Sequence, residues 1–178
     1  MFERYTEEAR RAIFLARYEA DRRGSNEITL EDLLLGLLLD PASRVNRIVA
    51  VQHLAEQLRK TFAFIETTGK KNRDLPVNNA VKRALAYTAE EAEKIGENWH
   101  DSAHLLLGIL REKDSKAALA LNGVGVTLEQ VREKVRSDRI DPPTIPPVTF
   151  RPRGFAFKWW QGLIAAAIIA AAMIWFKC

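Results

Sequence analysis

An all-α fold is what this 178-residue sequence predicts, as two pseudo-symmetric four-helix repeats followed by a single apolar helix. Three observations carry the prediction. No alternating apolar–polar run of strand length occurs in the chain. A helical apolar pattern recurs after a shift of 72 residues, which aligns residues 6–40 with 78–112. Finally, residues 159–176 are uncharged and apolar on every side of a helix.

Each repeat opens with a helix whose buried face is small. In the first copy Ala9, Ala12, Ile13, Ala16 and Ala20 recur at helical spacing, and in the second Val81, Ala84, Leu85, Thr88 and Ala92 take the matching places. Thr6 stands at the N-cap of the first of these helices. Gly24 and Gly96 fall where a left-handed C-terminal cap is needed. A second helix follows, started by Thr29 with Asp32 in one copy and by Asp101 or Ser102 in the other. Its body is Leu33, Leu34, Leu35, Gly36 and Leu38, mirrored by Leu105, Leu106, Leu107, Gly108 and Leu110. Two shorter helices complete each copy, over about 42–50 and 51–62 and then 115–122 and 127–136, the last opened by a Thr127–Gln130 capping box. The polar stretch 67–74 joins the copies. The domain is thus expected over 1–138, with repeats over about 2–66 and 75–138.

The charge is unevenly placed. Residues 1–138 hold 22 basic and 22 acidic side chains, so the net charge of +4 belongs entirely to the last 40 residues. A neutral domain lacks the basic excess that tracks phosphates, and no nucleic-acid partner is expected. One cysteine excludes a disulfide framework.

Beyond the domain, Pro142, Pro143, Pro146, Pro147 and Pro152 crowd residues 139–157, a composition that favours an extended polyproline spacer. A ligand for a proline-binding module is the alternative. The helix expected over 158–176, with 177–178 as a short tail, has an uncharged stretch spanning about 27 Å at 1.5 Å per residue, close to a bilayer core. Trp159, Trp160 and Trp175 stand at its ends as interfacial anchors. Arg151, Arg153 and Lys158 precede it and only Lys177 follows, so the domain is expected on the cytoplasmic side of a bacterial inner membrane, held to the lipid as a tail-anchored protein. Gly162, Ala166 and Ala170 form a small-residue stripe through which two such helices could pack into a homodimer. Cys178 would lie beyond the membrane, available to link such a dimer or idle.

The opening MFERYTEEARRAIFLARYEADRRGSNEITLEDLLLGLL, with AEEAEKIG, HLLLGILRE and NGVGVTLEQVREKV in the second copy, resembles the amino-terminal repeat domain of Clp-type AAA+ unfoldases such as ClpC and ClpA. The resemblance covers residues 1 to about 137. It implies a module that binds adaptors, protein substrates or Clp ATPase and peptidase subunits. The phosphate loop GxxxxGKS/T does not occur in this sequence, so the expectation is a non-enzymatic recognition domain on a membrane anchor in place of a motor. A membrane scaffold or signalling receptor that reuses the domain without any link to proteolysis is the alternative.

In ClpC-like members a Thr and a Glu of each repeat bind phosphorylated arginine. The resemblance places the first-repeat pair on Thr6 and Glu31, and the second on Asn78 and Ala103, where the carboxylate is missing. Capping and helix-dipole roles account equally for Thr6 and Glu31. His100 and His104 have the spacing of two metal ligands on a helix, but HDSAH lacks a zincin glutamate and a third ligand, so no metal is expected. His53 stands alone on a polar helix. No nucleophile–base pair can be assembled, and neither catalysis nor a cofactor is expected.

Overall fold

The computed structural model describes residues 3–49, 54–62 and 74–138. These residues form eight helices: α1 (Glu7–Arg22), α2 (Leu30–Leu39), α3 (Val45–Ile48), α4 (Leu54–Thr61), α5 (Asn79–Ile95), α6 (Ser102–Arg111), α7 (Lys116–Gly123) and α8 (Leu128–Ser137). No strand occurs among them beyond two isolated parallel bridges, Tyr5 with His100 and Ile28 with Val77. No helix among the described residues is long and apolar enough to cross a membrane. The expected spacer 139–157, the expected span 158–176 with Gly162, Ala166 and Ala170, and Cys178 lie outside the described residues, as does His53.

The helix boundaries follow local chemistry. Ala9 N–H donates to Thr6 Oγ1 at 3.4 Å and Val81 N–H to Asn78 Oδ1 at 2.9 Å, so the two long helices start on equivalent side-chain caps. The helix α1 closes as Gly24 turns to φ 70° and Ser25 N–H reaches back to Ala20 O at 2.9 Å; α5 closes on Gly96 at φ 81°. Asp101 caps α6, accepting from His104 N–H at 3.0 Å. At α8 Thr127 and Gln130 cap each other.

The third helix is shorter than the sequence predicts. Asp40 Oδ1 accepts from Ala42 N–H at 3.0 Å, Asp40 O accepts from Ser43 N–H, and Val49 is extended, so among the described residues of the expected 42–50 only Val45–Ile48 is helical. The Asp40 side chain and the following Pro41 hold residues 40–43 in a turn that competes with the helix.

Packing within each repeat is set by glycine. The helices α1 and α2 press so closely that a Cβ on Gly36 would stand 2.2 Å from Ala12 O, and one on Gly108 would stand 2.3 Å from Ala84 O in the α5–α6 pair. The small residues Ala9, Ala12, Ala16 and Ala20 on α1 are fully buried and make this approach possible. The leucines of α2 and α6 then lie in one apolar cluster that runs through both repeats.

Each long helix also buries one glutamate, and each glutamate is held from the last helix of its repeat. Glu19 meets Arg22 and, from α4, Arg59, both at 2.9 Å. Glu91 takes a two-pronged contact from Arg132 of α8, with Nε and Nη2 both at 2.8 Å, and a further one from Lys94 at 3.1 Å. Hydrogen bonds from Arg132 hold the Glu91 pKa down to about 2, against the opposing effect of burial. A carboxylate depressed in the folded state stabilises above its unfolded pKa, and that stability is lost as pH falls toward the folded value. The acid limb between pH 4.5 and 2 therefore carries up to about 3 kcal/mol from Glu91. Urea titrations at a series of pH values should show Glu91→Gln flattening this limb. An unchanged slope would refute the assignment.

Candidate protein-recognition site

The two bridges join the repeats reciprocally, and they place the candidate ligand residues. On one side Thr6 N–H donates to His100 O at 3.0 Å and His100 N–H to Arg4 O at 2.8 Å. On the other, Ile28 N–H donates to Pro76 O at 2.8 Å and Asn78 N–H to Ile28 O at 3.0 Å. The start of each long helix is thereby held against the loop that leads into the second helix of the opposite repeat.

Thr6 is half-buried at one junction, beside the loop that leads to Ala103. Glu31 is half-buried in the first turn of α2, at the other junction, beside the Asn78 cap. No hydrogen bond among the described residues joins Thr6 to Glu31. The Thr6 hydroxyl already accepts from Ala9 N–H, while the Glu31 carboxylate has no ion-pair partner among the described residues. At the position equivalent to Glu31 the second repeat has fully buried Ala103. At the Thr6 junction Tyr5 packs edge-to-face on His100, ring centroids 4.9 Å apart, and burial pushes the Tyr5 phenol up to about 12.

Next to this junction lies a buried charge cluster that sequence reading missed. Arg44 of the first repeat is fully buried, and its Nη1 meets Asp101 Oδ2 at 2.5 Å. Its other donors reach Val135 O at 3.1 Å, Asp138 Oδ2 at 3.3 Å and Asp138 O. Its backbone N–H donates to Ser102 Oγ at 2.9 Å and to Glu8 Oε2 at 3.1 Å, so one residue ties α1, α6 and α8 together. Burial opposes the Arg44 charge, but Asp101, Asp138 and Glu97 outweigh it and raise its pKa. Burial likewise opposes the Asp101 charge, yet His104 and Arg44 hold that carboxyl well below the usual range. No sequence signal marks this lock: the 72-residue counterparts of Arg44 and Asp101 are Lys116 and Thr29, and arginine and aspartate are ordinary on surfaces.

His104 belongs to the same cluster. Its Nδ1 faces Asp101 across the α6 cap, and its Nε2 lies 3.7 Å from Glu97 Oε2. Glu97, Asp101 and His104 place one ligand atom each within 4.8 Å of one another. The cationic place beside them is taken by the Arg44 guanidinium, 4.0 Å from Glu97 and 2.5 Å from Asp101, and a divalent ion would meet that charge head-on. His100 is not one of these three and packs its ring on Tyr5.

Fold and junctions together define a pseudo-twofold helical double-repeat domain. The Clp repeat (R) N-terminal domain family matches residues 4–124 and 77–144, and the chain belongs to that family. It is 34% identical over 138 residues to the chloroplastic ATP-dependent Clp protease ATP-binding subunit ClpA homolog of Brassica napus, covering 76% of this chain and 16% of that protein. The chloroplastic chaperone protein ClpC1 of Arabidopsis thaliana is likewise 34% identical over 138 residues, 76% of this chain and 15% of its own length. The chain therefore spans about a sixth of these relatives. Among solved structures, the N-domain of ClpV from Vibrio cholerae superposes with a TM-score of 0.63 at 17% identity, over 79% of this chain and 90% of that one. The N-terminal domain of ClpD from Arabidopsis thaliana gives a TM-score of 0.60 at 20% identity, over 77% and 95%. These two likenesses establish the fold.

Proposed function

We propose that this chain is a membrane-tethered, non-enzymatic recognition module of a Clp chaperone–protease system, binding substrates, adaptors or Clp subunits at the cytoplasmic membrane face. The observation that carries the reading is one of coverage. Family similarity extends over both repeats, and the same chain continues into an 18-residue uncharged apolar segment with basic residues before it. Tethering would raise the local concentration of membrane-proximal clients. Within the domain the proposed ligand residues are Thr6 and Glu31, which would serve two separate junctions, with the half-buried Glu31 carboxylate suited to a guanidinium group. In the membrane Gly162, Ala166 and Ala170 would support self-association.

Full-length chain purified from detergent-solubilised membranes is expected to bring a Clp ATPase, a Clp peptidase or a shared client with it, and to resist alkaline carbonate extraction. Recovery of none of these proteins removes the Clp reading, and release by carbonate removes the tether. Glu31→Ala is expected to weaken phosphoarginine binding at least tenfold; equal binding would clear Glu31 of the role. The presence of Asn78 and buried Ala103 at the second-repeat positions favours a second reading, a membrane scaffold or signalling receptor without a tie to proteolysis. Wild-type chain that binds neither phosphoarginine nor any Clp subunit would establish that reading instead.

A further inference from the structure

The turn between the first and second helix is built from different side chains in the two repeats, although its backbone is the same. Gly24 and Gly96 take positive φ, 70° and 81°, and the N-caps Thr29 and Asp101 stand at the same remove beyond them. Just before these glycines lie Arg23 in the first repeat and buried Ile95 in the second. At the third position of the following helix lie Asp32 and His104, both buried. His104 completes its capping box by accepting from Asp101 N–H at 3.3 Å. Repeat 2 thus closes the turn without an arginine, so the fold as such does not call for Arg23.

Arg23 instead ties the end of α1 to the first turn of α2. Its Nη2 donates to Asp32 Oδ2 at 2.6 Å and to Thr29 Oγ1 at 3.2 Å. The same Asp32 oxygen accepts from Thr29 N–H at 2.9 Å and from Thr29 Oγ1 at 2.8 Å, so the arginine holds both members of the capping box. Asp32 is 1% exposed, and burial pushes its carboxyl up against the hydrogen bonds and charge that Thr29 and Arg23 bring. The neighbouring Arg22 is engaged with Glu19 at 2.9 Å. First turns of helices fray because their N–H groups lack intrahelical partners, and here a buried ion pair holds the turn down. Glu31 is part of that turn.

We infer that Arg23 is a positioning residue for the Glu31 carboxylate, fixing through Asp32 and Thr29 the first turn of α2 that carries it. The inference rests on the proposed recognition role of Glu31 and adds how that carboxylate is held. Asp32 is turned inward and neutralised by Arg23, so Glu31 is the carboxylate that the turn offers to a guanidinium group. Its backbone is held from one side by the Ile28 bridge and from the other by Arg23. A guanidinium–carboxylate contact is directional, and a loosened turn weakens it even where the helix survives. In repeat 2 Ala103 stands for Glu31 and Ile95 for Arg23, so the carboxylate and its support are absent together.

The test uses the full chain in dodecyl maltoside micelles, with phosphoarginine as the probe and affinity read by calorimetric titration. The double variant Arg23→Ile/Asp32→His installs the residues of repeat 2. It is expected to keep the parent's circular-dichroism spectrum and to bind about tenfold more weakly. A second variant, Arg23→Met/Asp32→Asn, keeps an oxygen for Thr29 N–H and should bind as weakly. One nitrogen of Arg23 makes both contacts, a geometry that an ammonium group reproduces, so Arg23→Lys should stay within about twofold of the parent. A purely structural role for Arg23 would change stability in urea and leave the affinity at the parent value. Parent affinity in the double variants overturns the inference, and so does a loss in Arg23→Lys equal to theirs. A parent chain that does not bind phosphoarginine removes the Glu31 reading and this inference with it. Binding that is lost in Glu31→Ala yet equal in every Arg23 variant removes this inference alone.

Discussion

Replacing Gly36 with alanine is expected to destabilise the domain by about 3 kcal/mol or more, with the equivalent Gly108→Ala close behind. A methyl group on Gly36 would sit 2.2 Å from Ala12 O and 2.7 Å from Ala16 N, and both are backbone atoms of α1 that cannot swing aside. The whole of α2 would have to move off α1, opening the apolar cluster that depends on the approach. Helix propensity acts in the opposite direction by about 1 kcal/mol, so the expected loss is net of that gain. At Gly108 one of the two close neighbours is the Thr88 hydroxyl at 2.6 Å, a side chain with some freedom, although Ala84 O at 2.3 Å has none. Gly123 is the control: nothing lies within 4 Å of a Cβ there, and alanine should be neutral or slightly stabilising. Urea denaturation followed by far-ultraviolet circular dichroism compares the three. Parent-like stability of Gly36→Ala would show that the α1–α2 approach is not as tight as described.

The second large effect is expected at Arg44. Arg44→Met removes a fully buried cation and takes the Arg44 donor from Asp101 Oδ2, Asp138 and the Val135 carbonyl, a change expected to cost about 3–5 kcal/mol. Much of that cost is the stranded Asp101 carboxylate, which separates this effect from simple loss of volume. Asp101→Asn retains an oxygen for the α6 cap while removing the charge, so adding it to Arg44→Met should recover part of the stability. Denaturation of the two single variants and the double variant closes a thermodynamic cycle. Strictly additive losses would mean that the two residues do not act as a pair. Because Arg44 belongs to one repeat and Asp101 to the other, the coupling also reports how far the repeats unfold as a unit.

Both effects bear on what was legible beforehand. Gly36 and Gly108 stand in the repeated LLLGxL pattern, and the duplication alone marks them as positions with a shared constraint. The caps at Thr6, Thr29, Asp101 and Thr127 were also readable, because a cap is satisfied by groups within four residues along the chain. The third helix is shorter than residues 42–50 predict, because the competing Asp40 turn is a matter of side-chain geometry. The resemblance to ClpC-like domains pairs Thr6 with Glu31 within one repeat. The structure sets them at two junctions, each facing the other repeat, and sequence spacing has no access to that exchange.

The sequence by itself determined the order of the helices, the caps of the long ones, the duplication and the family, all of which rest on interactions between residues close along the chain or on a pattern that repeats. Tertiary structure alone decided which charges are buried and which aromatic rings are not. Arg44 looks like any surface arginine until Asp101 and Asp138 arrive from the other repeat to neutralise it, and Phe14 looks like any core residue until α2 and α6 are seen to cover the alanine face of α1 instead. Burial depends on what the rest of the chain brings to a position, and residues far apart in sequence bring it.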